Sequence, residues 1–385
     1  MLGTGVFTAL GPAAGAAGRW LLLSLLLAAV VATCNALSSA DLAAVHPQAG
    51  GTYVQAGVRI GPWSARLAGS AFLVGKTASA AAGAFGAYVV PAAPTVAAVV
   101  LVAAMTAINT VGVRWTARVT WVLVTVVLLV LALVVVAGLQ PGAGARPSGA
   151  PLVVPVPAVD PPSPAGVLAG AGLLFFAFAG YARMATLGEE VRDPARSLRT
   201  AIPLALVIAL VVYLLVALAA LRALGPEVLA SATAPLADVV AASTFADLTA
   251  VVRIGAAVAT VSVLLSVLVG VSRTTLAMAR GGDLPAVLTT IGRRGTPWRA
   301  DLAGGAVAAV LAALAGPAAA ITLSAGCVLV YYSVTNAAAT RLRLDERRWP
   351  CWTSYLGFLL CLVLAVVTGL TALSGAGRGG SVPGL

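Results

Sequence analysis

Two short glycine-containing segments could bind a charged solute through backbone groups. The first is Gly3-Thr4-Gly5, and the second runs from Phe176 to Gly180. Glycine inside a helix costs roughly 1 kcal/mol relative to alanine, and both segments lie in apolar stretches. Unwound backbone in lipid persists only where it lines a cavity. The pair therefore predicts two interrupted helices that border one binding site.

The two interruptions would present opposite helix ends to a solute. A helix that begins after Gly5 directs free N–H groups at an anion, and one that ends near Phe178 directs carbonyl oxygens at a cation. Together they suit a zwitterion such as an amino acid. The predicted contacts are Gly3, Thr4 and Gly5 for the carboxylate, and Phe176, Ala177, Phe178 and Gly180 for the amino group. Plain helix packing is the alternative.

Lys76 lies near the middle of an apolar stretch. It follows Pro62 by 14 residues and precedes Pro91 by 15, which places it about 21 Å along a helix. Ionisable residues near the bilayer midplane indicate function, and removal from water disfavours the charged form of lysine. We expect Lys76 to titrate or to take the place of a bound cation. A lysine that caps the carbonyls of a broken helix is the alternative.

A charged segment follows the second interruption. Glu189 and Glu190 could pair with arginines such as Arg280 as an inner gate, and a solvated cluster is an equal alternative. Arg183 comes three residues after Gly180. It could pair with a substrate carboxylate or with the two glutamates.

Enzyme and metal chemistry lack their usual residues. The chain has four cysteines without CxxC spacing and one histidine, so we expect neither disulfides nor a metal site. Clustered histidines and paired acids are also missing from the apolar stretches. We therefore predict no catalytic residue and no enzyme.

The composition points to a membrane. Of 385 residues, 61% are hydrophobic and 9% charged, against roughly 25% charged in ordinary globular domains. This excludes a soluble enzyme, a DNA-binding domain and a disordered chain. The net charge is +11, but the bases lie between apolar blocks. We expect the lipid bilayer, and not nucleic acid, as the partner.

Eleven apolar blocks approach the length that spans a bilayer. They cover about residues 1–16, 20–42, 62–91, 95–113, 116–137, 167–191, 201–224, 248–280, 303–315, 321–342 and 352–373. The fold class is therefore an all-α polytopic membrane protein with about 11 transmembrane helices.

The interruptions open the first and the sixth block, which predicts a 5+5 inverted repeat with broken helices 1 and 6. Repeat one covers about 1–137 and repeat two about 166–342, with an extra helix at about 352–373. All belong to one transmembrane domain, 1–375, and residues 376–385 form a polar tail. If the chain starts inside, 17 of its 23 basic residues face the cytoplasm and five the outside, as the positive-inside rule requires.

Four segments resemble the amino acid–polyamine–organocation permeases, which have the five-plus-five leucine-transporter fold. They are GTGVFTALGPAAG from residue 3, HPQAGGTYVQA from residue 46, FFAFAGYARMATLGEEVRDPARSL from residue 175 and SRTTLAMARGGDLP from residue 272. The resemblance covers residue 1 to about 375. It implies secondary active transport of amino acids, polyamines or related organocations, often coupled to protons.

The resemblance also implies individual roles. In the family an aromatic of the sixth helix closes over the substrate, and Phe178 is the candidate with Phe176 as the alternate. Eighth-helix hydroxyls ligate the ion in sodium-coupled relatives, here Ser262 and Ser266, although such hydroxyls often bond their own backbone. Some proton-coupled relatives carry a fifth-helix lysine, which is missing here, so Lys76 is the candidate. The implied coupling ion is H⁺, with Na⁺ as the alternative and no other cofactor.

Two departures affect this prediction. Family members usually have residues before the first-helix motif, whereas here it begins at Met1. We expect a true start further upstream, or a fragment. Eleven spans are also one fewer than the twelve common in the family.

These observations predict a plasma-membrane carrier that moves amino acids or related small organic solutes by alternating access. An ion or solute channel is one alternative, although no continuous polar stripe is found. A non-transporting fragment that lacks the first half of helix 1 is another. The missing acids near the predicted site disfavour polyamines and cationic amino acids, and small apolar amino acids suit it best. The oligomeric state is left open.

Overall fold

The computed structural model describes residues 3–46, 50–84, 93–112, 117–141, 163–181 and 194–378, and these ranges contain helices and no strand. The all-α prediction is confirmed. The α-helices are α1 Thr4–Thr8, α2 Leu10–Ala17, α3 Leu21–Val45, α4 Thr52–Arg59, α5 Pro62–Ala84, α6 Pro94–Val111, α7 Ala117–Leu139, α8 Pro164–Phe178, α9 Pro194–Ser231, α10 Pro235–Ala241, α11 Thr249–Arg280, α12 Trp298–Leu314, α13 Pro317–Ala339 and α14 Cys351–Arg378.

Seven helical segments in the described ranges are long and apolar enough to cross a bilayer. They are Leu10–Val45, Pro94–Val111, Trp121–Leu139, Arg199–Ser231, Ala246–Arg280, Pro317–Ala339 and Cys351–Thr371. The remaining predicted blocks differ for local reasons. The first block joins the second in one segment, α5 is rich in alanine, glycine and serine and holds Lys76, α8 has 15 residues, and α12 has 17. The polytopic character of the fold is thus confirmed.

Glycines with positive φ separate several helices. Gly18 has φ 53° and begins the short 3-10 turn between α2 and α3. Gly225 has φ 73° and ψ 165° inside α9, next to the predicted end of the seventh span at Leu224. Glycine adopts such angles at little steric cost. These two residues therefore redirect the chain where longer side chains would be strained.

Small and polar side chains hold the bundle together. A Cβ added to Gly75 of α5 would lie 3.0 Å from Cys327 Cβ on α13, so glycine allows these helices to approach closely. Asn336 of α13 donates to Asn35 of α3 at 2.5 Å, and Asn35 donates to Cys361 Sγ of α14 at 3.1 Å. The amide groups pair three helices away from water.

Ion pairs join the helix ends on the predicted cytoplasmic side. Arg199 of α9 lies 3.1 Å from Asp41 of α3. Arg59 of α4 lies 2.7 Å from Glu346, in the loop before α14. These contacts fix the side of the bundle that the arginine count assigns to the cytoplasm.

Candidate functional site

The start of α1 and the end of α8 meet inside the bundle. Gly3, in extended conformation, precedes the first helical residue, Thr4. α8 ends at Phe178 and continues as a 3-10 turn, Ala179–Tyr181. A Cβ added to Gly5 would lie 2.5 Å from Ala177 Cα. The two helix ends therefore touch through backbone atoms, which only glycine at position 5 permits.

A cavity of about 140 Å³ lies at this meeting point, between α1, α5, α8 and α11. It has room for a small solute, since a single buried water needs roughly 10–15 Å³. Its lining residues are Gly3, Thr4, Gly5, Phe72, Lys76, Ser79, Phe176, Ala177, Ala179, Gly180, Val263, Ser266, Val267 and Gly270. Residues that the sequence analysis selected from four separate parts of the chain thus share one cavity.

The first turn of α1 faces this cavity. Gly3, Thr4 and Gly5 all line it, and the Thr4 side chain is buried. N–H groups in a first turn have no partner within their helix. α1 begins at Thr4, before the predicted start after Gly5, and the N–H of Ala9 bonds to Gly5 O at 2.9 Å. The backbone donors of this first turn therefore belong to residues that line the cavity.

The carbonyls at the end of α8 have donors from the protein itself. Tyr213 Oη of α9 donates to Ala177 O at 3.0 Å. Lys76 Nζ of α5 donates to Ala179 O, also at 3.0 Å. These carbonyls were predicted to face the cationic group of a solute, and two of them already accept hydrogen bonds from the protein. In the structure, a solute amino group would share or compete for these oxygens.

Lys76 reaches this position from the middle of α5. It is 8% exposed, and of the described residues that line the cavity it alone is charged. Among the described side chains, none forms an ion pair with it. Its contact with Ala179 O is the capping geometry that the sequence analysis gave as the alternative. A capping lysine that lines the cavity remains a candidate for titration.

The two candidate aromatic residues occupy different places. Phe176 lines the cavity and is 8% exposed. Phe178 has no exposed surface, and its ring centroid lies 5.0 Å from that of Tyr213. The cavity lining does not include Phe178. Residues two positions apart on α8 point in different directions, so of the two candidates it is the alternate, Phe176, that a solute would contact.

The two candidate serines of α11 also differ in their position relative to the cavity. Ser266 lines the cavity together with Val263, Val267 and Gly270. Ser262, one turn earlier, is partly buried and is not part of the lining. Of the proposed hydroxyl pair, the structure therefore brings Ser266 to the site.

The predicted charged gate lies mostly outside the described residues. Arg183, Glu189 and Glu190 lie outside the described residues. Arg280 is exposed at the end of α11. The described contact in this region is made by Asp283, which accepts hydrogen bonds from Tyr53 Oη and Arg66 Nε, both at 2.8 Å.

This Asp283 contact joins α4 and α5 to the end of α11 and shifts two pKa values. The hydrogen bonds from Arg66 and Tyr53 hold the pKa of Asp283 below its usual range. Burial, together with the bond to Asp283, raises the pKa of Tyr53 to about 12. Tyr53 therefore stays protonated and keeps donating across the ordinary pH range.

Several residues of the cavity were not predicted from the sequence. Phe72, Lys76 and Ser79 lie three or four residues apart on α5, so they share one helix face. The same spacing relates Val263, Ser266, Val267 and Gly270 on α11. Residues three or four positions from Lys76 or Ser266 share a helix face with them, and this spacing would have identified Phe72, Ser79 and Gly270. Nothing in the sequence indicated Tyr213.

Comparison with known proteins places the chain in a family. A family model described as "Amino acid permease" matches residues 1–378. An uncharacterized transporter of Mycobacterium tuberculosis is 50% identical over 380 residues, which are 97% of this chain and 84% of the relative. The vacuolar cationic amino acid transporter 2 of Arabidopsis thaliana is 34% identical over 148 residues, 38% of this chain and 23% of the relative.

A bacterial relative matches a similar share. The branched-chain amino acid permease BcaP of Bacillus subtilis is 28% identical over 150 residues, 39% of this chain and 32% of the relative. The resemblance seen in the sequence motifs is confirmed over nearly the whole chain. It follows that this protein is a multi-pass membrane transporter and not an enzyme, and that it belongs to the amino acid permease family.

Proposed function

We propose that the chain is a secondary active transporter that carries amino acids or related small organic solutes across the plasma membrane by alternating access. The observation that carries the proposal is the meeting of the start of α1 and the end of α8 at one cavity. Helix ends at a midplane cavity are where transporters bind substrate and coupling ions. The cavity is lined mostly by apolar residues with a few polar groups, as small-molecule sites are.

The solute would bind by its two charged ends. Its carboxylate would accept hydrogen bonds from the backbone of Gly3, Thr4 and Gly5. Its amino group would lie near Ala179 and Gly180 at the end of α8. Phe72, Phe176, Val263 and Val267 would then surround a small apolar side chain. The names of the Bacillus and Arabidopsis relatives support amino acids as the solute class.

Lys76 would couple transport to protons. It is buried at the cavity without an ion-pair partner among the described side chains, and it holds a carbonyl that a solute amino group would also use. Loss of its proton would weaken its hydrogen bond to Ala179 O and remove a positive charge from the cavity. Sodium coupling through Ser266 is the second candidate, because this hydroxyl also lines the cavity.

Uptake into proteoliposomes tests the proposal. Purified protein would be reconstituted, and radiolabelled amino acids supplied with and without an imposed pH or sodium gradient. Saturable accumulation above the equilibrium level, driven by the pH gradient, is expected. Passive flux that does not saturate would indicate a channel, and accumulation driven by sodium alone would exclude the proton.

A further inference from the structure

We propose that Lys76 determines the charge of the solute that the cavity accepts. The cavity would take solutes that carry a carboxylate and have zero or negative net charge, and it would reject solutes with a second cationic group. This inference rests on the proposed function, because it concerns the same cavity. It adds a specificity-determining residue and a substrate class.

The charge balance of the lining carries the inference. Lys76 is the only lysine of the chain, and its side chain is more than nine-tenths buried. The other described lining residues include hydroxyls on Thr4, Ser79 and Ser266 but no carboxylate. A carboxylate that enters the cavity therefore meets a cation, whereas a cation meets a like charge with no carboxylate among the described lining residues to offset it.

The position of the Lys76 ammonium group should make the cavity discriminate strongly between solutes of different charge. Lys76 Nζ lies 3.0 Å from Ala179 O, at the end of α8 where the solute amino group is proposed to lie. A solute with one amino group offsets that group with its own carboxylate. A second amino group on its side chain has no such partner, and the nearby Phe72, Phe176 and Val263 offer no hydrogen bonds through their side chains. Like charges placed together in a poorly solvated site repel strongly.

Rejection of the wrong charge is as effective a source of specificity as attraction of the right one. Replacement of Lys76 by methionine keeps a long unbranched side chain and removes the charge. This change should therefore relax the discrimination. Replacement by arginine keeps the charge and should preserve it.

The test compares two amino acids of nearly equal side-chain size with a third whose side chain is larger. L-norvaline is neutral, L-2,4-diaminobutyrate carries an extra ammonium group, and L-glutamate carries an extra carboxylate. Binding of each to the purified full chain would be measured by calorimetry for the wild type, Lys76→Met and Lys76→Arg. Arg253→Met, at an exposed position on α11, is the control for loss of a positive charge elsewhere.

We expect the wild type, Lys76→Arg and Arg253→Met to bind norvaline or glutamate at least roughly tenfold more tightly than diaminobutyrate. In Lys76→Met this ratio should fall about tenfold. Equal binding of diaminobutyrate and norvaline by the wild type would overturn the inference even if no variant folds. An unchanged ratio in folded Lys76→Met would also overturn it while leaving the proposed function intact. Binding of none of the three by the wild type would also overturn the inference, while the proposed function is tested separately by the uptake measurement.

Discussion

Lys76 places a positively charged group where α8 ends, and its hydrogen bond to Ala179 O could serve two purposes. A capping role needs a donor with a charge, which arginine also supplies. A coupling role needs a group that releases a proton, which arginine does not do in proteins. The pair of substitutions Lys76→Arg and Lys76→Met therefore separates the two roles.

We expect both Lys76→Arg and Lys76→Met to lose the stimulation of uptake by a pH gradient, because neither side chain exchanges a proton. Lys76→Arg should keep more thermal stability than Lys76→Met, since it can still donate to Ala179 O. Uptake into proteoliposomes at several imposed gradients measures the first effect. Gradient-dependent uptake by Lys76→Met would eliminate the coupling role.

The two phenylalanines of α8 offer a matched pair of variants. Phe178→Ala should lower the free energy of unfolding by about 3–5 kcal/mol, because a fully buried ring is removed. Phe176→Ala should weaken solute binding by roughly tenfold, since the lost contact is worth about 1.5 kcal/mol or more. Thermal unfolding and equilibrium binding of the two variants separate these effects. A larger binding defect in Phe178→Ala would contradict the assignment.

The sequence pattern predicted some of the residues that line the cavity and did not identify the others. Glycines in an apolar stretch and a lysine at its middle are unusual enough to identify Gly3, Gly5, Gly180 and Lys76. Phe176 and Phe178 differ by two positions, and the sequence does not fix the rotation of α8 that turns one ring inward to the cavity. Phe72 and Val263 look like any other apolar residue of a membrane helix. Their role depends on which neighbour each helix faces.

At the scale of elements, the contact between α1 and α8 is the feature on which the site depends. A methyl group on Gly5 would overlap Ala177, at 2.5 Å from its Cα, so the two helices would have to move apart. Backbone atoms cannot rotate away as a long side chain can. The shape of the cavity should therefore be more sensitive to this position than the fold as a whole.

We expect Gly5→Ala to weaken solute binding by at least about tenfold, measured by calorimetry on purified protein. Gly15→Ala is the control, because the added methyl group would lie 3.8 Å from Ala230 Cβ, an ordinary contact. That change should leave binding intact and slightly stabilise α2, as alanine favours helices over glycine. Equal binding by both variants would show that the α1–α8 contact does not shape the site.

The link between α4, α5 and α11 through Asp283 should depend on pH. The pKa of this carboxyl is lower in the folded protein than its ordinary value of 3.8. It therefore contributes stability above that value, and the contribution disappears as pH falls through the folded-state pKa. The Arg66 side chain is 65% exposed, so the contribution of this pair is below about 1 kcal/mol.

Asp283→Asn should make the stability of the protein less dependent on pH under acidic conditions. We expect the thermal unfolding midpoint of the wild type to fall more steeply below pH 3.8 than that of Asp283→Asn. Asp247→Asn, at an exposed position, should behave like the wild type. Parallel curves for all three proteins would remove Asp283 as a contributor.

Element boundaries were predictable where glycine marks them. The predicted apolar blocks end close to Gly18 and Gly225. In the structure, these two glycines form the turn before α3 and the end of the first part of α9. The number of long apolar helices was harder to predict. A helix such as α5 is shielded from lipid by α11 and α13, so alanine, serine and glycine can replace the large apolar residues that a hydropathy count requires. Such packing is a property of the assembled bundle.

At the scale of the whole molecule, four helices surround one cavity, and they are α1, α5, α8 and α11. Low charge, long apolar helices and arginines grouped at one set of loops all fit a bilayer, and the family match agrees. The predicted inverted repeat and the plasma-membrane location remain predictions. The proposed function requires that a solute binds in this cavity and not elsewhere in the molecule.

Protection of an introduced thiol tests that requirement most directly. In a variant without Cys34, Cys327, Cys351 and Cys361, Ser266→Cys places a thiol in the cavity lining and Ser262→Cys places one a turn away from it. A small water-soluble thiosulfonate reagent would be applied with and without the amino acid that proteoliposomes accumulate best. The account predicts that the amino acid slows modification of the Ser266→Cys variant and leaves the rate for Ser262→Cys unchanged. Unchanged rates at both positions, with transport intact, would contradict it.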